Sequence, residues 1–187
     1  MSKQTWQETV KTGIDVGISL SAAATSSLLA SQQVYTLPAH MWEVGTAIRI
    51  RATGKMSNAI TTPGTGLFQV VLTDAASTPI TVWDSGAFDL NLVAKTDVPW
   101  WIEIELVCAQ SDSQAALFGM GKFTCESVVG SPVTTVGGVG TLLLPVSSPA
   151  NGSGFDPAST EAVDLTWTQT ESTGAIQLMS FVLEVLN

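Results

Sequence analysis

The sequence contains few charged residues, and this scarcity limits what the chain can bind. Lysine and arginine number 7 and aspartate and glutamate 16, so charged residues make up 12% of the 187 residues. Soluble domains carry roughly 25%. The net charge of −9 argues against nucleic acid as a partner, because phosphate binding requires clustered cations. The same shortage predicts that uncharged surface is buried against other copies or other proteins.

Long apolar runs are also missing. A membrane-spanning helix needs about 20 consecutive apolar residues, and residues 14–30 fall short because Asp15 and several serines and threonines interrupt them. The first eight residues are polar and lack the apolar core of a signal peptide. We therefore expect synthesis in the cytoplasm and no membrane partner.

Residues that ligate metals are scarce as well, since Cys108, Cys125 and His40 are the only cysteines and histidine. They offer no recognisable zinc spacing, and no metal or cofactor is expected. If residues 101–108 and 117–125 form a simple hairpin, the two sulfurs lie more than about 20 Å apart at about 3.3 Å per residue. That distance is too long for a disulfide and predicts two buried free thiols.

What the sequence does contain is a succession of strand patterns. Apolar and polar residues alternate in short runs separated by turn residues, which is typical of a sandwich or barrel. These runs are residues 46–53, 67–72, 80–83, 88–94, 101–108, 117–125, 163–169 and 176–186. They predict an all-β, antiparallel jelly-roll or β-sandwich, with an immunoglobulin-like sandwich as the alternative. A single helical turn is expected at residues 38–42, with Pro38 at its first position.

The chain divides into two parts on this pattern. Residues 1–30 are irregular and rich in alanine, serine and threonine, which predicts an N-terminal arm or an added edge strand. Residues 31–187 are expected to form one domain. Within it, residues 127–158 form a long loop rich in glycine and proline, with a short strand expected at 139–146. Such a loop is often functional or interface-forming.

Candidate catalytic residues are few. Glu103 and Glu105 lie two apart in a strand and share one face, a spacing that glycoside hydrolysis can use. We favour the simpler interpretation that both glutamates belong to the solvated face of an amphipathic strand. His40 is a possible general base, yet no nucleophile accompanies it in the sequence. The chain is therefore not expected to be an enzyme.

Tryptophans are the more informative aromatic residues. Trp100 and Trp101 are adjacent, so in a strand one enters the core and the other faces outward. An outward ring suits either a sugar or a subunit contact, and the subunit contact is favoured. The predicted interface residues are Trp6, Trp42, Trp100, Trp101, Arg49 and Arg51. The arm and the long loop are expected to supply further contacts.

Several segments, in their order and spacing, resemble a family of small virion-associated proteins of tailed bacteriophages. They are residues 35–50, 62–65, 99–103, 119–123, 154–157, 163–167 and 181–187. The resemblance implies a β-sandwich structural protein and carries no catalytic motif. The implied role is a capsid decoration (cement) protein on the capsid exterior, a homotrimer bound to the major capsid protein or another virion protein. The alternative is a head-fibre or tail-associated module that binds a carbohydrate or receptor.

Overall fold

The computed structural model describes residues 7–14, 17–59, 62–75, 78–112, 115–128 and 140–186. Within those ranges the chain forms thirteen strands and no helix. The strands are β1 (Gln7–Gly13), β2 (Thr25–Ser27), β3 (Tyr35–Leu37), β4 (Ala47–Asn58), β5 (Thr65–Thr73), β6 (Pro79–Asp84), β7 (Phe88–Asp89), β8 (Lys95–Gln110), β9 (Ala115–Cys125), β10 (Thr141–Leu144), β11 (Gly152–Phe155), β12 (Glu161–Gln169) and β13 (Ala175–Leu186).

The strands form two antiparallel sheets. The seven-stranded sheet has the order β1-β13-β4-β8-β9-β10, and β11 pairs with β9 beside β10. The six-stranded sheet has the order β2-β12-β5-β6, while β3 pairs with β12 and β7 with β5. The predicted fold class, an all-β antiparallel sandwich of the jelly-roll type, is confirmed.

Alternation along each strand explains why the sheets pack face to face. In β4, Ile48, Ile50 and Ala52 are buried, and the intervening Arg49 and Arg51 face outward, because successive side chains in a strand point to opposite faces. The strands β8 and β9 follow the same period of two, and β13 follows it on either side of one irregularity. The core lies between the two sheets, and seven of the eight predicted strands correspond to strands of the structure.

An aromatic cluster occupies the centre of that core. The ring of Phe68 on β5 lies 4.7 Å from Trp167 on β12 and 4.9 Å from Phe123 on β9, centroid to centroid. Phe88 and Trp100 complete the cluster, at 6.0 and 5.9 Å from Phe68. These separations are those of favourable edge and offset ring contacts, and they join the two sheets.

Two local predictions are wrong. The strand expected at 88–94 ends after β7, because the Asn91 side chain accepts a hydrogen bond from the Val93 amide, and Asn58 donates to the Asn91 carbonyl. These side-chain hydrogen bonds take the place of the inter-strand backbone hydrogen bonds that a longer strand would form. The helical turn expected at 38–42 is absent, since His40 has a φ of 61° in the left-handed region, which does not continue a right-handed turn.

The N-terminal segment and the long loop both contribute strands. Residues 7–13 form β1, which pairs with β13 at one edge of the seven-stranded sheet, and β2 pairs with β12. The loop at 127–158 contains β10 and β11, and β10 covers the middle of the strand expected at 139–146. Residues 129–139 of that loop lie outside the described residues.

The cysteines are free and buried, as predicted. Cys125 lies opposite Trp100 and Cys108 opposite Leu117, so the two thiols occupy opposite ends of the β8–β9 pair. Burial raises the pKa of both thiols, which keeps them protonated and slow to react.

Candidate functional site

The outward-facing side of the seven-stranded sheet, here called the outer face, carries most of the residues that the sequence singled out. Its registers place Trp101 on β8 opposite Thr53 on β4 and Thr124 on β9. One step along the strands, Arg51 lies opposite Glu103. The outer face therefore carries aromatic, hydroxyl and charged side chains at neighbouring positions.

Trp101 forms the floor of an open groove of about 430 Å³ on the outer face. We call this the Trp101 groove; the residues that line it are Thr53, Gly54, Pro99, Trp100, Trp101, Thr124 and Met179. Trp101 is half-buried, so its indole retains a solvent-facing surface. Sites that bind small ligands are concave, largely apolar, and carry a few polar groups that fix orientation. The groove has this composition.

Local packing holds Trp101 in this position. The adjacent Trp100 is only 2% exposed, and its Nε1 donates a hydrogen bond to the carbonyl of Lys55 at 3.2 Å. A Cβ on Gly54 would lie 2.8 Å from that nitrogen, so glycine leaves room for the buried ring. With Trp100 anchored inward, the period of two turns Trp101 outward, which decides between the two rings that the sequence left as alternatives.

Met179 reaches the groove through an irregularity in β13. The register between β13 and β4 shifts between Leu178 and Ser180, which inserts one extra residue into β13. A bulge of this kind redirects a side chain, and Met179 is exposed. Regular alternation does not reveal such an insertion, so the sequence analysis missed this residue.

None of the described residues that line the groove is ionisable. The Lys55 ammonium lies next along β4, and its Nζ is 3.3 Å from an Asp97 carboxylate oxygen. On the other side of the groove, Glu103 lies opposite both Arg51 and Lys122. The groove is thus an uncharged strip between rows of opposite charges.

The two arginines predicted as interface residues bind carboxylates of their own chain. Arg49 lies 3.1 Å from Glu105 and 3.9 Å from Glu184, measured between guanidinium nitrogen and carboxylate oxygen. Arg51 forms an ion pair with Glu184, whose side chain is almost fully buried. A buried carboxylate of this kind requires a cation beside it, which gives both arginines an intramolecular role.

The interface prediction is corrected for two of the tryptophans. Trp42 is 3% exposed, and its ring packs edge-on against Phe155 at 5.8 Å. Trp100 is equally buried. Both rings belong to the core and leave no face for a partner. Trp6 lies outside the described residues. Among the predicted tryptophans that the structure describes, Trp101 alone keeps an outward surface.

The predicted catalytic candidates do not converge. Glu103 and Glu105 stand on the outer face, and Glu105 is paired with Arg49. His40 borders a separate pocket of about 460 Å³ together with Asp156, whose carboxylate accepts hydrogen bonds from the Ala158 amide and the Ser159 hydroxyl. In the described ranges, no group of three or more His, Cys, Asp or Glu side chains is placed to hold a metal ion.

Glu161 is a titratable residue that the sequence analysis missed. It is buried at the start of β12, and neither carboxylate oxygen has a hydrogen-bond partner. Burial, together with the nearby Asp74 and Asp156 carboxylates, raises its pKa to about 7. The sequence contained a signal for its burial, because in a strand Glu161 points to the same face as the inward-facing Val163 and Leu165.

No protein-family model and no curated protein sequence matches this chain. Among solved structures, it is similar to lectin I of Ulex europaeus, at 8% identity and a TM-score of 0.39 over 97% of each chain. It is also similar to a Lotus tetragonolobus seed lectin, at 10% identity and a TM-score of 0.35, covering 88% of this chain and 80% of the lectin. A third similar structure is the CBM2 module of the evolved Dit of Lactobacillus casei BL23 phage J-1, at 13% identity and a TM-score of 0.30. The match covers 82% of this chain and 68% of the module. Scores this low carry no functional argument.

No helix long and apolar enough to cross a membrane occurs in the part of the chain that the structure describes.

Proposed function

We propose that this chain is a non-catalytic binding protein whose Trp101 groove holds a carbohydrate. The observation that carries the proposal is the outward Trp101 ring, set in an open groove between the hydroxyl-bearing Thr53 and Thr124. The surrounding Pro99 and Met179 extend the apolar floor. This function corresponds to the alternative that the sequence resemblance left open.

The chemistry of a sugar ring fits this arrangement. A pyranose presents C–H groups on its faces and hydroxyls at its rim, so a flat indole packs against the face while polar groups meet the rim. The Thr53 and Thr124 hydroxyls flank the indole on neighbouring strands. The Thr124 hydroxyl lies 3.1 Å from that of Thr141, and because a hydroxyl both donates and accepts, it retains capacity for a further hydrogen bond. Aromatic side chains contribute large apolar area at such contacts.

The groove's charge favours an uncharged sugar. The described residues of its lining include no ionisable side chain, and the ammonium of Lys55, next to Gly54 on β4, is paired with Asp97. A uronate, sialate or phosphate-bearing glycan would lose water without gaining a free cation. The chain's net charge of −9 also repels polyanions at a distance. We therefore expect neutral glycans to bind in preference to acidic ones.

The test begins with an array of neutral and acidic bacterial-type oligosaccharides, and the strongest hits are then titrated by calorimetry. Trp101→Ala should weaken binding of a hit at least tenfold, which corresponds to about 1.4 kcal/mol. Trp101→Phe should restore part of the affinity. Phe118→Ala removes another exposed ring from the outer face and should leave the affinity unchanged.

Fluorescence gives an independent readout. The other described tryptophans, Trp42, Trp83, Trp100 and Trp167, are at most 4% exposed, so a bound glycan should shield mainly Trp101 from an aqueous quencher. Equal affinity of wild type and Trp101→Ala for every hit would refute the groove assignment. The absence of any hit on the array would refute carbohydrate binding itself.

A second candidate function is a structural role in a phage particle, as the sequence resemblance implies. We propose a decoration protein on the capsid exterior, a homotrimer bound to the major capsid protein. Low charge and the exposed apolar residues Phe118, Met120 and Leu143 on one sheet support burial against other subunits. Copy number in purified particles, measured by quantitative mass spectrometry, tests it. A capsid-lattice ratio to the major capsid protein would support decoration, and a handful of copies would favour a tail or vertex module.

A further inference from the structure

We infer that copies of this chain associate through an apolar patch on the outer face, formed by Phe118, Met120 and Leu143. This inference is independent of glycan binding; it rests on the self-association proposed with the second candidate function and names the surface through which that association occurs. The occupant of the patch is a second copy of the same chain.

The patch consists of large apolar side chains that the fold leaves uncovered. Leu143 is 73% exposed, Met120 42% and Phe118 40%. Leu143 on β10 lies opposite Lys122 on β9, so the three side chains occupy outward positions on two neighbouring strands. Phe118 lies opposite the half-buried Val107, which extends the patch onto β8. Contiguous exposed apolar surface of this kind marks an interaction site.

Charge identifies a second copy as the occupant. Strands β4, β8, β9 and β13 contain five of the chain's seven lysines and arginines and four carboxylates, a balance of +1. The chain as a whole carries −9, so the remainder carries −10. Two copies repel each other wherever these acidic surfaces meet. The outer face is the surface on which they can approach without that repulsion.

The charged rows also complement each other between copies. Across β8 and β9, Glu103 lies opposite Lys122, so adjacent outward positions alternate in sign. A second copy whose own row is displaced by one strand meets opposite charges, which sets the register of the contact. Leu143 and Met120 flank Lys122 and supply the apolar area.

The outer face has room for a contact beside the Trp101 groove. Five strands spaced about 4.8 Å apart and a β9 strand of about 36 Å give at most roughly 860 Å² for the whole face. A contact that leaves the groove free covers only part of that area, which is the size of a weak, reversible interface. Phe118 and Thr124 lie six residues apart on β9, or about 20 Å. A contact centred on the patch therefore borders the Trp101 groove without requiring its indole.

Analytical ultracentrifugation of the purified chain over a range of concentrations tests the inference. Wild type should sediment as an oligomer of the 19.5 kDa chain. Leu143→Lys and Met120→Lys should each weaken association at least tenfold. Leu92→Lys is the matched control, because Leu92 is also exposed but lies in the loop after β7, and it should associate as wild type does.

Wild type that remains a monomer at hundreds of micromolar would overturn the inference. An oligomer that persists in both Leu143→Lys and Met120→Lys would overturn the assignment to this patch. Trp101→Ala should associate normally, whereas Leu143→Lys should keep its calorimetric affinity for a glycan. These crossed results separate a failure of self-association from a failure of the proposed function. Circular dichroism of each variant confirms that it is folded.

Discussion

Replacing Glu161 by glutamine should remove a pH dependence of stability that the wild-type chain shows between about pH 4.5 and 7. The Glu161 carboxylate is buried and unpartnered at the start of β12. The acidic groups that act on it are Asp74, just after β5, and Asp156, just after β11. The paired strand β3 places the apolar Leu37 opposite it. Each of these surroundings disfavours the ionised form.

The sign and size follow from proton linkage. A glutamate ordinarily has a pKa of 4.5, and in the folded chain that of Glu161 is about 7. Between those values the folded state holds a proton that the unfolded state releases, so the free energy of unfolding falls as the pH rises. At about 1.36 kcal/mol per pKa unit, the full loss is about 3 kcal/mol, complete above the folded-state pKa.

Thermal unfolding followed by circular dichroism, at constant ionic strength from pH 4.5 to 8, measures this loss. In a chain of this length 1 kcal/mol corresponds to about 2–4 °C, so the wild-type Tm should fall by about 6–12 °C relative to Glu161→Gln over that range. Taking the difference between the two proteins cancels the contributions of the other carboxylates. Glu43→Gln, at an exposed position, should track wild type. Parallel wild-type and Glu161→Gln curves would refute the argument that this carboxyl is desolvated.

Two further substitutions test the packing and the ion pairs. Gly66→Ala should destabilise the fold by about 3 kcal/mol, because its Cβ would overlap the buried Trp167 ring; Gly140→Ala, where a Cβ meets open space, should change the denaturation midpoint little. Glu184→Gln should lower the free energy of unfolding by about 1–3 kcal/mol, measured by chemical denaturation, because it removes the buried negative charge that pairs with Arg51. An unchanged denaturation midpoint would show that solvent replaces this interaction for the arginine.

The sequence was a reliable guide wherever alternation continued over several residues. Residues 101–108 have a strict period of two, and from it the outward direction of Glu103 and Glu105 followed directly. The same reasoning holds for β4, where Arg49 and Arg51 face outward. Side-chain direction in a strand depends only on local parity, so one short segment suffices to predict it.

Features that depend on distant residues escaped prediction. Trp42 lies in a loop without periodicity, and its burial results from Phe155, more than a hundred residues later. Met179 reaches the Trp101 groove only because β13 contains one extra residue relative to β4. The strand predicted at 88–94 was interrupted by hydrogen bonds from Asn58. In each case tertiary contacts override the local pattern.

The two sheets differ in the apolar side chains that they expose, and the difference explains why both proposals concern the same face. Outward polar groups bond to one another on both sheets: Ser27 donates to Asp164 at 2.6 Å on the six-stranded sheet, and the Thr124 and Thr141 hydroxyls lie 3.1 Å apart on the seven-stranded sheet. The exposed large apolar residues Phe118, Met120, Leu143 and Met179 all belong to strands of the seven-stranded sheet. That sheet therefore exposes Trp101 and the apolar patch beside nearly balanced charges. Covering that face with a partner removes apolar area from water and buries almost no net charge, and both effects favour association.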